Sequence, residues 1–562
     1  MLILKQVYKF LSKRQKLKAA QLLTLMIVGM LLEMFGIGLI LPAVSAVLDT
    51  NQVRNYLPLS DYTDFEIILY FMLSLSLVFF IKTFFLLFLT WTQAKFSFRT
   101  GANISERLLD IYLKQPYLFH SSKNSAELIR NVTLEANMFV QVLTALLIIT
   151  SELFVVFGLV VFIFLIQPYA ALTAIVIFIF FGFLLERLLK KVLESLGKER
   201  QEYDFERLRS IQQGLGAIKT TKIMGKEDEF KDRFVSPNHL LASVGIKIQT
   251  IQAFPRLWFE LLVVIFLSIV IVFISYSNSD TSTLIPLLAL FGAAAFRLLP
   301  SANRLLSSFQ SLRFNSVVIE NLKNELDLIN SIDVQTNRHS LTSFASLSLK
   351  NLTYRYPNSN VDILNNQSFE ILKGQRVGVI GESGSGKTTL INIILGLIEP
   401  MSGSIELDGE KLGSIKKSWQ EKIGYVPQEV YLDDDSLIKN IAFGIKEKEI
   451  NLKKVQESVD QAQLNGFVDS LDEGLESNVG ERGGRISGGQ KQRIGLARAL
   501  YHNPKVLVLD EATSALDTET EMEVMQSVYA LDKELTIIIV AHRLSSLEGV
   551  DTIIKVDKGK LI

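Results

Sequence analysis

The sequence predicts a polytopic α-helical membrane domain followed by an α/β domain with a mostly parallel sheet. Six long apolar stretches lie before residue 300, whereas short all-apolar runs separated by helical patterns follow residue 344. A polar stretch without periodicity separates the two regions. We therefore predict a domain of six transmembrane helices with long cytoplasmic extensions at residues 1–330, a linker at 331–343 and an α/β domain at 344–562.

Each apolar stretch is long enough to cross a bilayer as a helix, which takes about 20 residues. Buried helices of a large soluble core are the alternative, but so many uncharged runs of this length rarely occur together in such a core. The first stretch is too long for the core of a signal peptide, so we expect it to remain in the mature protein. The six stretches are residues 22–48, 67–91, 140–166, 170–185, 257–274 and 284–299.

Basic residues orient these stretches. The segment before the first stretch is rich in lysine and carries no acidic residue between its bases, which places the N-terminus in the cytoplasm. The loop at 49–64 has Arg54 as its one base and is predicted to lie outside. Long basic segments at 92–139 and 186–256 follow the second and fourth stretches, so these are predicted to extend into the cytoplasm. The N-terminal bases are Lys5, Lys9, Lys13, Arg14, Lys16 and Lys18.

The octapeptide at 381–388 fits the phosphate-loop pattern G-x-x-x-x-G-K-[ST]. An apolar run precedes it and helical periodicity follows it, so the loop is expected at a helix N-terminus, where the dipole favours an anion. In that setting Lys387 meets the β- and γ-phosphates of ATP, and Thr388 ligates Mg²⁺. An ordinary glycine-rich turn is the alternative for the octapeptide taken alone.

Acidic residues downstream favour the phosphate loop. Asp510 and Glu511 directly follow the buried-strand run at 506–509, one placed to hold Mg²⁺ and one to polarise an attacking water. A second apolar run at 537–541 ends in His542. Because ligands of parallel sheets gather at the carboxyl ends of the strands, these residues are expected to lie together.

The segment Arg485–Gln490 reads Arg-Ile-Ser-Gly-Gly-Gln and matches the signature sequence of ABC transporters, except that Ile486 replaces the usual Leu. From about residue 340 onward, the chain resembles the nucleotide-binding domain of that family. The resemblance implies that Glu511, His542 and Gln428 are catalytic and that Thr388, Gln428 and Asp510 hold Mg²⁺. The residues that it implies for ATP binding are Tyr356, Gly381, Glu382, Ser383, Gly384, Ser385, Gly386, Lys387, Thr388, Thr389, Ser487, Gly488, Gly489, Gln490 and Asp517.

The same resemblance implies partners. In this family the signature of one subunit closes over the phosphate loop of another, and this chain holds one copy of each, so a homodimer is expected. The membrane half resembles the six-span exporter arrangement, in which cytoplasmic loops dock on the ATPase; their tips are expected near 117–122 and 210–216. Solvated connectors are the alternative for these loops.

Ionisable residues within or beside apolar stretches bear on the cargo. Lys82, Arg256, Arg297 and Arg304 lie at roughly similar depth toward the cytoplasmic side. Such residues usually face a cavity or a partner, so a positive ring that selects an anionic cargo is one hypothesis. Pairing or snorkelling is the alternative, with Glu260 for Arg256 and with Glu33 and Glu152 for others.

The segment 297–304, together with 254–257, resembles the flippases of lipid-linked oligosaccharides in bacterial protein N-glycosylation. That resemblance implies an inner-membrane exporter that moves a polyprenyl pyrophosphate glycan to the outer leaflet. It also implies a lipid-engaging helix in the loop at 49–64, with Val53, Tyr56 and Leu57 as its apolar face, and a plain surface loop is the alternative. An exporter of lipid A or hydrophobic drugs, or an ATP-gated channel, remains as an alternative. The chain has no cysteine, which excludes disulfides, and we expect no nucleic-acid partner.

Overall fold

The structure is a computed structural model of the 562-residue chain. It describes residues 2–40, 43, 47, 63–166, 168–276, 281–331, 344–357, 359–480, 483–513, 517–541, 543–557 and 559–561. For residues 163, 166, 169–179, 181, 262–263, 266–267, 269–276, 281–297, 330–331 and 544–545 it describes the backbone alone. Contacts divide the chain into two compact units, Met1–Gln115 with His120–Ile332, and Pro116–Phe119 with Asp333–Ile562.

The first unit is helical throughout its described part. Two long helices begin at capping boxes, in which Ser12 pairs with Gln15 and Thr63 with Glu66, so that orphan backbone donors are satisfied at both starts. The elements are α1 Leu2–Phe10, α2 Lys13–Gly38, α3 Asp64–Leu113, α4 Tyr117–Ser122, α5 Ser125–Arg130, a π-helix Asn131–Glu135, α6 Ala136–Ile166, α7 Pro168–Gly216, α8 Ile218–Ile223, α9 Glu227–Tyr276, α10 Thr281–Phe314, α11 Ser316–Asp327 and a 3₁₀ turn Leu328–Ser331.

Three segments of the described chain are long and apolar enough to cross a membrane: Lys13–Gly38, Asp64–Leu113 and Ser125–Phe162. They coincide with the first three predicted stretches; α2 ends at Gly38, and the described residues of the first stretch beyond it are 39, 40, 43 and 47. The other three stretches fall within α7, α9 and α10, where most side chains lie outside the described residues. The predicted helix in the loop at 49–64 falls almost wholly outside them as well.

The long helices extend far beyond a bilayer. Helix α3 has 50 residues, which at 1.5 Å per residue makes it about 75 Å long, more than twice the thickness of a hydrocarbon core of about 30 Å. A helix of this length leaves room for the predicted cytoplasmic extensions, which stay a prediction. Of the first predicted loop tip, 117–122, residues 117–119 belong to the second unit.

A buried polar network joins several helices of the first unit. The Tyr112 hydroxyl donates to Glu325 Oε2 at 2.7 Å and accepts from Asn131 Nδ2 at 3.1 Å. Nearby, Arg200 Nη2 lies 3.6 Å from Glu135 Oε1, and both side chains are buried. Because the π-helix carries Asn131 and Glu135, its irregular turn brings both polar side chains into this network.

The second unit contains two sheets. The order of the six-stranded sheet is β10-β9-β3-β8-β7-β6, and every pair in it is parallel except β9 with β10. The four-stranded sheet has the order β2-β1-β4-β5 and is antiparallel. The strands are β1 Ser346–Tyr354, β2 Leu364–Leu372, β3 Arg376–Gly381, β4 Ser402–Leu407, β5 Glu410–Lys411, β6 Ile423–Val426, β7 Val506–Asp510, β8 Thr536–Val540, β9 Thr552–Asp557 and β10 Lys560–Leu561.

Helices cover the parallel sheet and explain its uniformly apolar strands. Strands β7 and β8 are buried at every position, as expected for strands with packed neighbours on both faces. The helices are α12 Lys387–Ile394, α13 Leu412–Gln420, α14 Leu437–Ile441, α15 Leu452–Gln461, α16 Asn465–Asp469, α17 Gly488–Leu500 and α18 Thr518–Tyr529. The mostly parallel sheet that the sequence predicts is confirmed.

Candidate nucleotide site

The phosphate loop joins β3 to α12. Gly381 ends the strand so close to β9 that a Cβ there would lie 2.3 Å from the carbonyl oxygen of Val556. Gly386 has a φ of 110°, which L side chains rarely adopt, and immediately precedes α12. Glycine is therefore required at both ends of the loop, once for space and once for backbone conformation.

Lys387 is held within its own loop. Its side chain is buried, and Nζ donates to the carbonyl oxygens of Gly381 at 2.8 Å and Glu382 at 3.0 Å. The Oγ of Ser385 is also buried and makes no hydrogen bond to the residues that the structure describes. A buried hydroxyl without a partner, beside an ammonium and a helix N-terminus, fits an anionic phosphate group.

Tyr356 lies beside the start of α12. Its hydroxyl is 3.2 Å from Oγ1 of Thr389, and its ring meets Tyr354 edge-on with centroids 5.1 Å apart. The ring is partly exposed, so one face is available for contact with a flat aromatic base. The structure thus places Tyr356 next to the phosphate loop, and its stacking on adenine remains a prediction.

The two acidic residues at the end of β7 have different environments. Asp510 is buried and accepts a hydrogen bond from the Tyr425 hydroxyl at 3.2 Å. Burial raises the pKa of the Asp510 carboxyl, the Tyr425 hydrogen bond lowers it, the Glu511 charge raises it, and the Lys387 charge lowers it; the net shift is upward. Glu511 is more exposed and accepts from Gln428 Nε2 at 3.0 Å.

The backbone at Glu511 is strained. Its φ is +50°, in the left-handed region that few side chains adopt, and such a conformation costs about 1–3 kcal/mol. Its backbone N–H donates to the carbonyl oxygen of Val540 at 3.1 Å, so the neighbouring strand fixes this turn. Strain of this kind clusters at functional sites, because it aims a side chain that a relaxed strand end would point elsewhere.

Two residues that the sequence analysis missed support this acidic centre. Tyr425 on β6 contributes the hydrogen bond to Asp510, and Gln492 on α17 donates to the carbonyl oxygen of Gln428 at 2.9 Å. Tyr425 lies 85 residues before Asp510 and Gln492 lies 64 residues after Gln428, so spacing predicts neither contact. The sequence indicates these two residues only by their positions. Tyr425 lies three residues before Gln428, and Gln492 follows the signature.

The signature residues form the N-terminus of α17. Ser487 is the N-cap, with its Oγ accepting from the backbone of Gln490 at 3.3 Å, while Gln490 Oε1 accepts from the backbone of Ser487 at 3.0 Å. Gly489 packs so tightly that a Cβ there would lie 2.6 Å from Cγ2 of Thr520. The positive end of the helix therefore carries the small residues Ser487, Gly488 and Gly489.

Asp517 begins α18 as its N-cap. Its carboxylate accepts from the backbone of Thr520 at 3.1 Å and from the Thr520 hydroxyl at 2.7 Å. These two hydrogen bonds, that from the hydroxyl first, lower the pKa of Asp517. The remainder of its loop, residues 514–516, and the predicted catalytic His542 lie outside the described residues, so their predicted roles are not located.

Metal ligands were predicted at Thr388, Gln428 and Asp510. Thr388 is exposed at the first turn of α12, and Asp510 and the Gln428–Glu511 pair lie at adjacent strand ends. The described residues contain no cluster of three His, Asp or Glu side chains that would hold a metal alone. An oxygen donor set of this kind fits Mg²⁺, which keeps waters and nucleotide phosphates as its other ligands.

Comparison with known proteins identifies the family. Residues 364–514 match the ABC transporter family, and residues 19–324, more than half of the chain, match the ABC transporter transmembrane region. The chain belongs to the ABC transporter family. It is consequently an ATP-driven transporter with ATPase activity, and its helical membrane part is fused to an α/β nucleotide-binding domain.

Relatives of this ABC transporter align over most of its length. An ATP-dependent lipid A-core flippase of Ralstonia nicotianae is 29% identical over 82% of this chain and 78% of its own. Proteins of the same name from Cupriavidus metallidurans and Photobacterium profundum are 29% and 28% identical over 81% and 84% of this chain and 77% and 80% of theirs. A bacterial Atm1-family ABC exporter with ATP bound shares the fold, with a TM-score of 0.79, 23% identity and coverage of 98% of this chain and 94% of that one.

Three of the four cations predicted to contact cargo have carboxylate partners in the part of the transporter that the structure describes. Lys82 Nζ lies 3.0 Å from Glu33 Oε2, with both side chains largely buried, and Arg304 Nε lies 2.7 Å from Glu152 Oε1. Arg256 pairs with Glu260 at 2.9 Å on the surface of α9, and the side chain of Arg297 lies outside the described residues. These three cations are therefore paired with carboxylates, as the alternative hypothesis expects. They do not form a ring of uncompensated positive charge.

Proposed function

We propose that this transporter is a homodimeric, ATP-driven flippase that moves a lipid A-core type glycolipid from the cytoplasmic to the outer leaflet of a bacterial inner membrane. The observation that carries the proposal is the alignment with lipid A-core flippases over about four-fifths of both chains. It favours this cargo over the lipid-linked oligosaccharide that the sequence suggests.

The ATPase step is supported by the geometry at the strand ends. Lys387 and the backbone of the phosphate loop bind the phosphates, and Glu511 polarises the attacking water while Gln428 orients its carboxylate. Mg²⁺ held by Thr388 and Asp510 would neutralise charge that develops on the phosphates. Each of these side chains lies at the start of α12, at the end of β7 or just after β6.

Two chains are required for a complete site. The signature in one chain provides a helix N-terminus at Ser487, and its natural ligand is the terminal phosphate bound by a second chain. Each protomer contains one phosphate loop and one signature, so a C2 dimer completes two equivalent sites. Closure of these sites on ATP then supplies the free energy that changes the exposure of the membrane domain.

Because these cations are paired, an anionic cargo would bind by replacing the carboxylate that is beside each cation. Lipid A is an anionic glycolipid, and its phosphates would replace Glu33 beside Lys82 or Glu152 beside Arg304. Glu152 Oε2 is buried and makes no hydrogen bond to the described residues, so that pair is not fully satisfied. Exchange of one anion for another avoids leaving a bare cation in the bilayer after the cargo departs.

A polyprenyl pyrophosphate glycan is the second candidate cargo. The resemblance of 297–304 and 254–257 to oligosaccharide flippases favours it, and a pyrophosphate has the same charge chemistry at Lys82 and Arg304. A hydrophobic cationic drug fits less well, because it gains nothing from either cation.

Reconstitution tests the proposal. The purified dimer in proteoliposomes should show ATP-dependent movement of lipid A-core, and its ATPase rate should rise with the amount of that lipid. A Glu511→Gln dimer provides the control without turnover. Movement of a polyprenyl pyrophosphate oligosaccharide but not of lipid A-core would select the second candidate, and an ATP-dependent electrical conductance would refute both.

A further inference from the structure

The first turn of α18 lies where motifs of the nucleotide site meet. Asp517 caps this helix at the end of the loop 514–517, and Thr520 contacts the place where Gly489 of the signature must lack a side chain. Glu521, one residue later, is almost completely buried although it carries a carboxylate. Neither the sequence motifs nor the ATPase geometry above gives Glu521 a role.

The carboxylate of Glu521 is shared among three donors. Oε1 accepts from Thr513 Oγ1 at 2.9 Å and from Ser546 Oγ, and Oε2 accepts from Arg543 Nη1 at 2.7 Å. Thr513 immediately precedes the loop 514–517, whereas Arg543 and Ser546 follow His542 in sequence. The Glu521 side chain thus joins the segment that follows β7 to the segment that follows β8. We call this set of contacts the Glu521 junction.

Charge strengthens this junction. Burial raises the pKa of Glu521, but the hydrogen bonds from Ser546, Thr513 and Arg543 together outweigh burial, and the net shift is downward. The group is therefore an ionised carboxylate with both oxygens occupied. Hydrogen bonds to an ionised acceptor are shorter and stronger than neutral ones, so they fix the relative position of the three donors.

We propose that Glu521 is a positioning residue for ATP hydrolysis, which holds the segment after His542 in register with the segment before the loop 514–517. These segments follow adjacent parallel strands, and their order in the sheet alone does not fix the distance between their ends. Glu521 supplies that constraint from α18. The proposal concerns the ATPase reaction, so it stands or falls independently of the cargo.

Glu521→Gln is the central variant, with Glu523→Gln as its matched control. Gln keeps an acceptor for Thr513 and Ser546 but loses the charge that pairs with Arg543. Glu523 lies on the same helix in an exposed pair with Arg493, outside the junction. We expect kcat for ATP hydrolysis by the reconstituted dimer to fall roughly tenfold to a hundredfold in Glu521→Gln, since small misplacements have effects of that order. KM and ATP binding should change less than about twofold, and the control should match the wild type.

Arg543 gives a second variant that spares the buried carboxylate. Its side chain is about half exposed, so Arg543→Gln is expected to fold. If both residues act through one contact, the double variant should be no slower than Glu521→Gln alone. Unchanged kcat in both single variants, fully additive losses, or a parallel loss of ATP binding and thermal stability would each overturn the positioning role.

Discussion

Removal of the Tyr425 hydroxyl should shift the pH dependence of ATP hydrolysis. In Tyr425→Phe, Asp510 keeps its buried position but loses the hydrogen bond at 3.2 Å that lowers its pKa. A hydrogen bond to an ionised group contributes about 1.5–3 kcal/mol, and the long distance places this one near the lower bound. The pKa of Asp510 should therefore rise when this hydrogen bond is lost.

The sign of the effect follows from the role of the carboxylate. In its proposed role Asp510 must be ionised to hold Mg²⁺, so activity is expected to fall as the pH drops through its pKa. A higher pKa moves that acid limb toward higher pH. Burial holds the pKa of Tyr425 itself above its ordinary value, so the hydroxyl remains a donor throughout the range tested.

The assay is kcat/KM for ATP hydrolysis as a function of pH, because that ratio reports groups of the free enzyme. Tyr501→Phe is a suitable control, since the Tyr501 hydroxyl accepts from the backbone of Asn451 and lies outside the acidic centre. An acid limb in Tyr425→Phe that coincides with those of the wild type and the control would show that the hydrogen bond does not tune Asp510.

Three further predictions concern the two units. Glu511→Gln should abolish ATP turnover while nucleotide affinity stays within about twofold, and retained hydrolysis in a phosphate-release assay would contradict its role. Lys82→Met should destabilise the membrane domain by about 3–5 kcal/mol because Glu33 is left buried without its cation, and the Lys82→Met/Glu33→Gln double variant should recover most of the thermal stability. Gly386→Ala should weaken nucleotide binding at least tenfold, because a φ of 110° is strained for alanine, and unchanged binding in a fluorescent-nucleotide titration would count against the loop geometry.

The fold class could be predicted because its signals are local. Apolar length indicated the membrane helices. The octapeptide at 381–388 predicted a loop, and the apolar run before it and the helical periodicity after it predicted the strand and the helix that the structure shows. The short contact between Gln428 and Glu511 could not be derived from spacing, since 83 residues separate them. The family resemblance assigned both residues to the site but did not predict the contact between them.

Contacts between residues that are distant in sequence could not be predicted from the sequence. Lys82 and Glu33 are 49 residues apart, so the sequence could offer pairing only as an alternative to a charged cavity. Tyr425 and Gln492 act through partners on other elements, and no periodicity distinguishes them from core residues. The four predicted cargo contacts stay predictions, because charge and depth indicate where a cation lies but not which anion it meets.

The buried network around the π-helix contains two kinds of contact that differ in their response to motion. The hydrogen bond from Tyr112 to Glu325 is short and directional, whereas Arg200 lies 3.6 Å and 3.7 Å from Glu135 and Asp204 without a hydrogen bond from its guanidinium to the residues that the structure describes. Coulombic attraction falls slowly with distance, so the ion pair from Arg200 to Glu135 would tolerate a small displacement of α7. The hydrogen bond from Arg130 Nη1 to the carbonyl oxygen of Gln201 at 3.2 Å would not, and a Cβ at Gly197 would already lie 2.1 Å from the carbonyl oxygen of Phe314. Directional contacts therefore hold α7 as well as α3 and α11, and spin labels on α7 and on α11 should report movement of similar size during turnover.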